Sequence, residues 1–475
     1  MKIDRWLTIT LFFTVIRVSV AQEHVTKFSA SAVKADLKYL YKTLEKAHYN
    51  LYAYVNKSKY DKAYQTIYNS IGRDSLSMLE TTKLLQKFTA TGNVGHSEID
   101  FPVQPYIAFA QSGGAVFPLE LAFEGGKAYI RKNYTGKFNV RVGDQVLRID
   151  GEPIKSIQEA IHPYISAERP YFKNAKVEFW SFPRLYWSVF GEKKAFKVKI
   201  RRANGKTGTH TIAAIPVMEY ETQRGGEILN TEPSFKYFGD VAYLDPGPFS
   251  SAEADGERKF KEFIDSVFAD INSKNIDKLI VDLRNNSGGH NAYSDHLISY
   301  FADKPFRWYS TFKLKTSKVL KDQTRRDTPE AEIDDYTKAI LGHQDGEVFA
   351  YDQPIQQPAP EAKRFEGKVY VLVNRQTYSM AAVSAALIQD YGFGKIVGEE
   401  TGDVPTLYAS QFSFTLPETD ITVKVPKGYI VRPNGDEALS GVEPDYRIRD
   451  HLLDVEDEIL SYTLEILLNP TVPKR

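Results

Sequence analysis

The chain has no cysteine. A thiolate nucleophile, a disulfide framework and thiolate metal sites are therefore excluded. It has no excess of charge either: 61 Lys and Arg balance 61 Asp and Glu, a formal net charge of zero. Nothing in that balance favours nucleic acid or an acidic membrane surface as a partner. Long apolar runs are also missing beyond the N-terminus. There, Lys2 and Arg5 precede a mainly apolar stretch over 7–20, and Ser19-Val20-Ala21 offers the small residues that signal peptidase reads. The expectation is a secretory signal over 1–21, a mature chain from Gln22, and an exported protein, periplasmic or extracellular. Arg17 interrupts the stretch, so a membrane anchor is the alternative, although the stretch is short for a span. A facing histidine pair is missing as well. His290 and His296 are six apart, which does not place them on one helix face, so neither a metal nor another cofactor is expected.

What is present is the composition of a folded, multidomain protein. The 475 residues exceed one ordinary domain, so two or three are expected. Hydrophobic residues make up 42% and charged residues 26%, which places the chain among ordinary globular proteins.

Residues 369–402 carry the clearest local signal. Residues 369–373 (VYVLV) are an unbroken, β-branched-rich run, the pattern of a strand buried on both faces. Asn374-Arg375-Gln376-Thr377 turns the chain, and the Ala-rich stretch from Met380 to Ile388 favours helix. Ser379 is the last residue before that helix. Backbone N–H groups at a helix start lack helical partners and stabilise negative charge. An oxyanion formed next to the Ser379 hydroxyl could be held by the Met380 N–H. The plainer role for such a serine is an N-cap. The α/β-hydrolase elbow, G-x-S-x-G, is absent, because the local sequence is Thr-Tyr-Ser-Met-Ala. A second apolar strand, 278–283 (KLIVDL), runs into Arg284-Asn285-Asn286-Ser287-Gly288-Gly289. Paired glycines there let the backbone approach a ligand and aim bare N–H groups at it, so Gly288 or Gly289 is a second candidate donor. A plain strand-to-helix loop is the alternative.

Four segments then fall in a meaningful order: DLRNNSGG at 282–289, TYS at 377–379, VGEETG at 397–402 and GVEPD at 441–445. With them the chain resembles the tail-specific, or C-terminal processing, serine peptidases, and most of all the branch of tricorn protease and the retinoid-binding protein of the retina. The resemblance covers the chain from about Leu37 onward. It implies a multidomain α/β fold with a crotonase-like (ClpP/crotonase-type) catalytic domain, and Ser379 as nucleophile acting on a polypeptide substrate. Gly95-His96-Ser97 matches the segment where the family places its general base, which points to His96. A base is chemically required, because a serine hydroxyl at neutral pH is a weak nucleophile. Many family members use a lysine shortly after the Gly-Glu-Glu-Thr-Gly segment. Here Asp403-Val404-Pro405-Thr406 follows without one, which favours the serine–histidine branch. The same resemblance implies a glutamate just before the Gly-Val-x-Pro-Asp motif. Glu437 is nearest, with Asp436 and Glu443 as fallbacks. Tricorn-type members carry a serine before the histidine, where this chain has Gly95.

In chain order, the expectation is an N-terminal helical cap over 22–105, a β-rich domain over 106–215 and a catalytic α/β domain over 216–475. In the cap, Leu37, Leu40, Tyr41 and Leu44 share a helix face, and Ser77-x-x-Glu80 is a capping box. In the second domain, residues 142–151 (VGDQVLRIDG) are similar to the signature of PDZ domains, which bind peptide as an added strand. The aromatic stretch 171–190 is expected in a core or domain interface. Residues 313–364 are polar and Pro-bearing, an excursion over the surface or a lid beside the cleft. A non-catalytic carrier of peptide or hydrophobic ligands and an esterase are the rival functions. Oligomeric state is open.

Overall fold

The computed structural model describes residues 26–468 except 73, 226–231, 452 and 454. The expected signal over 1–21 lies outside the described residues. No helix among them is long and apolar enough to cross a membrane.

The centre is a six-stranded sheet in the order Ser234–Phe238, Val241–Asp245, Lys278–Asp282, Lys368–Val373, Lys395–Gly398, Tyr446–Arg447. The first pair is antiparallel and every later pair parallel. Both faces are covered, which is why its strands read as unbroken apolar runs. Ala242, Leu244, Leu279, Val281, Val371 and Val373 pack with helices Gly256–Ser273, Asn291–Ser299 and Met380–Tyr391. The alternate residues Val241, Tyr243, Ile280, Leu372 and Val397 meet Ile459, Tyr462 and Leu467 of helix Glu458–Leu468.

A four-stranded antiparallel sheet stands beside it, in the order Val348–Ala350, Thr311–Lys315, Thr422–Val431, Leu407–Thr415. The polar segment 313–364 is thus more than a surface excursion. It completes strand Thr311–Lys315 and supplies Val348–Ala350, and Leu314 is buried in the central core beside Phe312. Period-two alternation (Thr-Phe-Lys-Leu-Lys) buries only half of a strand, so its average polarity conceals it.

The N-terminal helices start at side-chain caps. Ser29 accepts from the Ala32 N–H before Ala30–Ala47, Asn56 caps Lys57–Ser70, and Ser77 and Glu80 form the capping box of Met78–Thr89. Their apolar face does not close on itself. Leu37, Leu40, Leu44, Leu85 and Phe88 share one core with Phe412, Phe414, Val423 and Val425 of the four-stranded sheet.

Besides two short two-stranded pairings, a further antiparallel sheet runs Leu119–Glu124, Lys127–Asn133, Gln145–Ile149, Ala195–Arg201, Thr207–Ala213, with Glu152–Pro153 paired to Gln145–Ile149. Asp150 and Gly151 make the hairpin turn with φ of 52° and 88°, values that suit a two-residue Asp-Gly loop. Helices Ile154–Ile161 and Phe182–Phe190 cover it, so the aromatic stretch supplies core. Arg375 ties this unit to the central sheet. Its guanidinium meets Glu399 at 2.8 Å, Glu178 and Glu124 at 3.3 Å, and the Phe123 carbonyl at 3.2 Å.

Candidate active site

Ser379 stands where the sequence puts it, between strand Lys368–Val373 and helix Met380–Tyr391. Its hydroxyl makes no capping bond, and its backbone is held at φ 52°, ψ −127°. A non-glycine residue there is strained by roughly 1–3 kcal/mol, so surrounding contacts must impose the conformation. They are identifiable. The Thr377 hydroxyl donates to the Leu283 carbonyl at 2.9 Å, the Tyr378 N–H donates to the Asn286 carbonyl at 3.0 Å, and the Ser379 N–H donates to Asp403 Oδ2 at 2.8 Å.

His96 comes from the far end of the chain. Its Nε2 lies 3.1 Å from Ser379 Oγ, and the residue is 2% exposed. The ring stacks on Tyr378, with centroids 4.9 Å apart and planes 14° apart. The turn beneath it is pinned from several sides. The Gly95 N–H donates to Glu168 Oε1 at 2.7 Å, Lys176 Nζ donates to the Gly95 carbonyl at 2.9 Å, and Gln411 Nε2 donates to the His96 carbonyl at 2.7 Å. Burial, reinforced by the Lys176 charge, depresses the His96 pKa to about 3, so the imidazole is neutral across ordinary pH.

The acid expected before the GVEPD segment is not beside this imidazole. Glu437 accepts from the Tyr429 hydroxyl on an exposed loop. Asp436 accepts from the Ala438 N–H, and Glu443 pairs with Arg447. Two acids that sequence reasoning missed stand nearer, Asp403, which is fully buried, and Glu168, which is half-buried with its Oε2 sealed from solvent. Asp403 Oδ2 is 3.9 Å from His96 Nε2, on the serine side of the ring, and Oδ1 accepts from the Val404 N–H at 3.0 Å. Burial, and next the charge of Glu168, raises the Asp403 pKa to about 8. Burial also raises that of Glu168. Asp403 directly follows the VGEETG segment, a position that could have drawn attention to it. Glu168, in Ser-Ala-Glu-Arg-Pro, carries no such signal.

The glycine pair divides its work. A Cβ on Gly288 would fall 2.6 Å from Met380 N and 2.8 Å from Ser379 Cβ, so the glycine permits close packing against the serine turn. Its own N–H, however, donates to Asn286 Oδ1 at 2.8 Å, which removes it as a free donor in this arrangement. Gly289 and Met380 line the cleft with His96 and Ser379.

That cleft encloses about 590 Å³. Trp308, Phe312, Val383, Leu407 and Ile430 form its apolar wall, and Asp334, Lys427 and Gln353 add polar groups. His290 caps its own helix, and His296 bonds Asp265 at 2.6 Å. Among the described residues no group of three or more His, Asp or Glu is arranged to hold a metal ion.

Residues 240–448, which include both glycines, Ser379 and Asp403, match the sequence model of peptidase family S41. This region is similar to peptidase family S41. The match implies serine-type peptidase chemistry for this region. The solved structure of mature CPAF superposes on this chain with a TM-score of 0.65 at 17% identity, covering 94% of this chain and 99% of that one. Mature CPAF complexed with lactacystin gives 0.61 at 16% identity over 87% and 93%. The photosystem II D1 C-terminal processing protease gives 0.46 at 17% identity over 93% and 99%. At these identities the CPAF likeness bears on the fold: a multidomain α/β arrangement matched over nearly the whole chain.

Proposed function

We propose that this chain is an exported serine endopeptidase working through a Ser379 acyl-enzyme. Ser379 Oγ attacks the peptide carbonyl while His96 Nε2 takes its proton. The tetrahedral oxyanion rests on the N–H groups of Met380 and Gly289. The C–N bond breaks as Nε2 returns the proton to the leaving amine. Water then adds to the acyl ester by the same proton path and frees Ser379. The observation that carries this reading is the 3.1 Å contact between His96 Nε2 and a Ser379 hydroxyl free of any capping duty. A serine that merely capped the helix would spend that oxygen on a backbone N–H.

The finer architecture belongs to the same proposal. Residues 216–475 form a crotonase-like catalytic domain, 106–215 a PDZ-like domain and 22–105 a helical domain, with 1–21 removed on export. The separate core of the antiparallel sheet supports the second boundary.

Turnover of an unfolded protein such as casein by the mature chain tests the mechanism, with Ser379→Ala and His96→Ala alongside. Each variant should lose several orders of magnitude in rate while staying folded. A fluorophosphonate should label Ser379 in the wild type. A chain that neither turns over casein nor takes the label would be a binding protein instead, and rapid ester turnover without proteolysis would identify an esterase.

A further inference from the structure

A neutral imidazole that takes the Ser379 proton on Nε2 must carry its own proton on Nδ1. In this chain Nδ1 of His96 is buried and has no hydrogen-bond partner among the described residues. A buried donor without an acceptor is costly, and native structures rarely leave one.

An acceptor with the opposite deficit sits on the same turn. Glu168 Oε1 holds the Gly95 N–H at 2.7 Å, one residue from His96. Its other oxygen, Oε2, is buried and also has no partner among the described residues. Gly95 makes room for this carboxylate, since a Cβ there would fall 2.8 Å from Oε2 and 3.3 Å from Oε1. The other acids are committed elsewhere. Asp403 spends its oxygens on the Ser379 and Val404 N–H groups and faces Nε2, not Nδ1. Glu437 is on Tyr429. The rival acceptor is the Ser97 hydroxyl, likewise buried without a partner among the described residues.

We propose that Glu168 is the positioning carboxylate of the dyad: Oε2 accepts the Nδ1–H of His96, directly or through one water, fixes its tautomer and stabilises the imidazolium formed when Ser379 is deprotonated. Glu168 takes no proton in this scheme; the serine proton goes to Nε2 and then to the leaving amine. The role is needed because the environment otherwise opposes a charged imidazole, with Lys176 packed on the same turn. The titratable and charged groups around the imidazole are Lys176 and Glu168, which hold the Gly95 backbone beside it, Asp403, which lies 3.9 Å from Nε2, and Tyr378, which stacks on the ring. Tyr54 in turn faces Glu168 and Asp403.

The inference rests on the peptidase reading, and its test separates the two. In the full mature chain, Glu168→Gln retains an acceptor for the Gly95 N–H but removes the charge. It should lower kcat about a hundredfold or more with KM within about twofold, because the loss falls on the transition state. Imidazole ¹⁵N NMR supplies a readout independent of turnover. Wild-type His96 should show a slowly exchanging Nδ1–H, and Glu168→Gln should shift that resonance. Ser97→Ala should leave both measurements near wild type. The proposal is overturned if Glu168→Gln keeps wild-type kcat and an unmoved His96 resonance, or if Ser97→Ala produces the loss instead. If the wild type itself shows no turnover and no label, the peptidase reading fails, while the NMR signal still decides the Glu168 contact.

Discussion

Replacing Asp403 by Asn should change stability in a way that depends on pH and reverses sign. The carboxyl is fully buried. Desolvation, followed by the charge of Glu168, lifts its pKa from an ordinary 3.8 to about 8. The folded state therefore keeps a proton that the unfolded chain has released over most of that window. Stability conferred by the protonated form is complete below the unfolded pKa and is lost as pH rises from about 4 to about 8. A tenfold change in a proton-binding constant corresponds to about 1.4 kcal/mol, which gives an upper bound on the order of 5 kcal/mol at pH 8. Glu168 shares the burden, so a few kcal/mol is the expected span. Asn cannot ionise and escapes this loss. It can still accept from the Ser379 N–H, but its amide then faces the Val404 N–H, and losing that hydrogen bond costs about 1 kcal/mol at every pH. Asp403→Asn should thus be the less stable protein near pH 5 and the more stable one near pH 8. Denaturant unfolding of both proteins at pH 5, 6, 7 and 8 measures the difference directly. A difference that stays flat across that range would show that Asp403 ionises normally, and the buried-acid account of the serine turn would be wrong.

Other perturbations follow from the same packing. Gly288→Ala forces a Cβ to within 2.6 Å of Met380 N at φ +74°, so it should abolish fluorophosphonate labelling of Ser379 and lower stability by roughly 2 kcal/mol or more. Mass spectrometry of the labelled protein and a melting curve check both. Arg375→Met leaves Glu399, Glu178 and Glu124 without their buried cation and should destabilise by about 3–5 kcal/mol in denaturant unfolding. His48 is buried, with a pKa depressed to about 3 by desolvation and by the nearby Lys315 charge. Only the unfolded chain takes up that proton between about pH 6.5 and 3, so the wild type loses stability as pH falls through this range. His48→Leu should flatten the acid side of the stability curve, and an unchanged slope would refute the assignment.

What the sequence revealed of this site depended on how local each signal was. Ser379 was legible because a strand, a turn and a helix within two dozen residues all point to one position, and the structure adds that its hydroxyl caps no backbone N–H and meets His96 instead. His96 has no comparable local pattern, since one histidine in a glycine-punctuated loop looks like any other. It was reached through resemblance, and a contact spanning 283 residues brings it to the serine. Amphipathic helices near the N-terminus announced a buried face but not its partner, and that partner is a sheet more than 300 residues away. Asp403 and Glu168 were harder still. An acid in a polar loop reads as a surface charge, and only the fold shows that these two are sealed beside the dyad. The segments that meet here hang on separate cores: His96 on the helices packed to the second sheet, Glu168 on the loop leaving the antiparallel unit, and Ser379 and Asp403 on the central sheet. No single core can assemble the site. Its buried acids are tolerable only once every segment has docked to supply their donors, so reactivity at Ser379 should report on docking of the whole chain and not on the catalytic region alone.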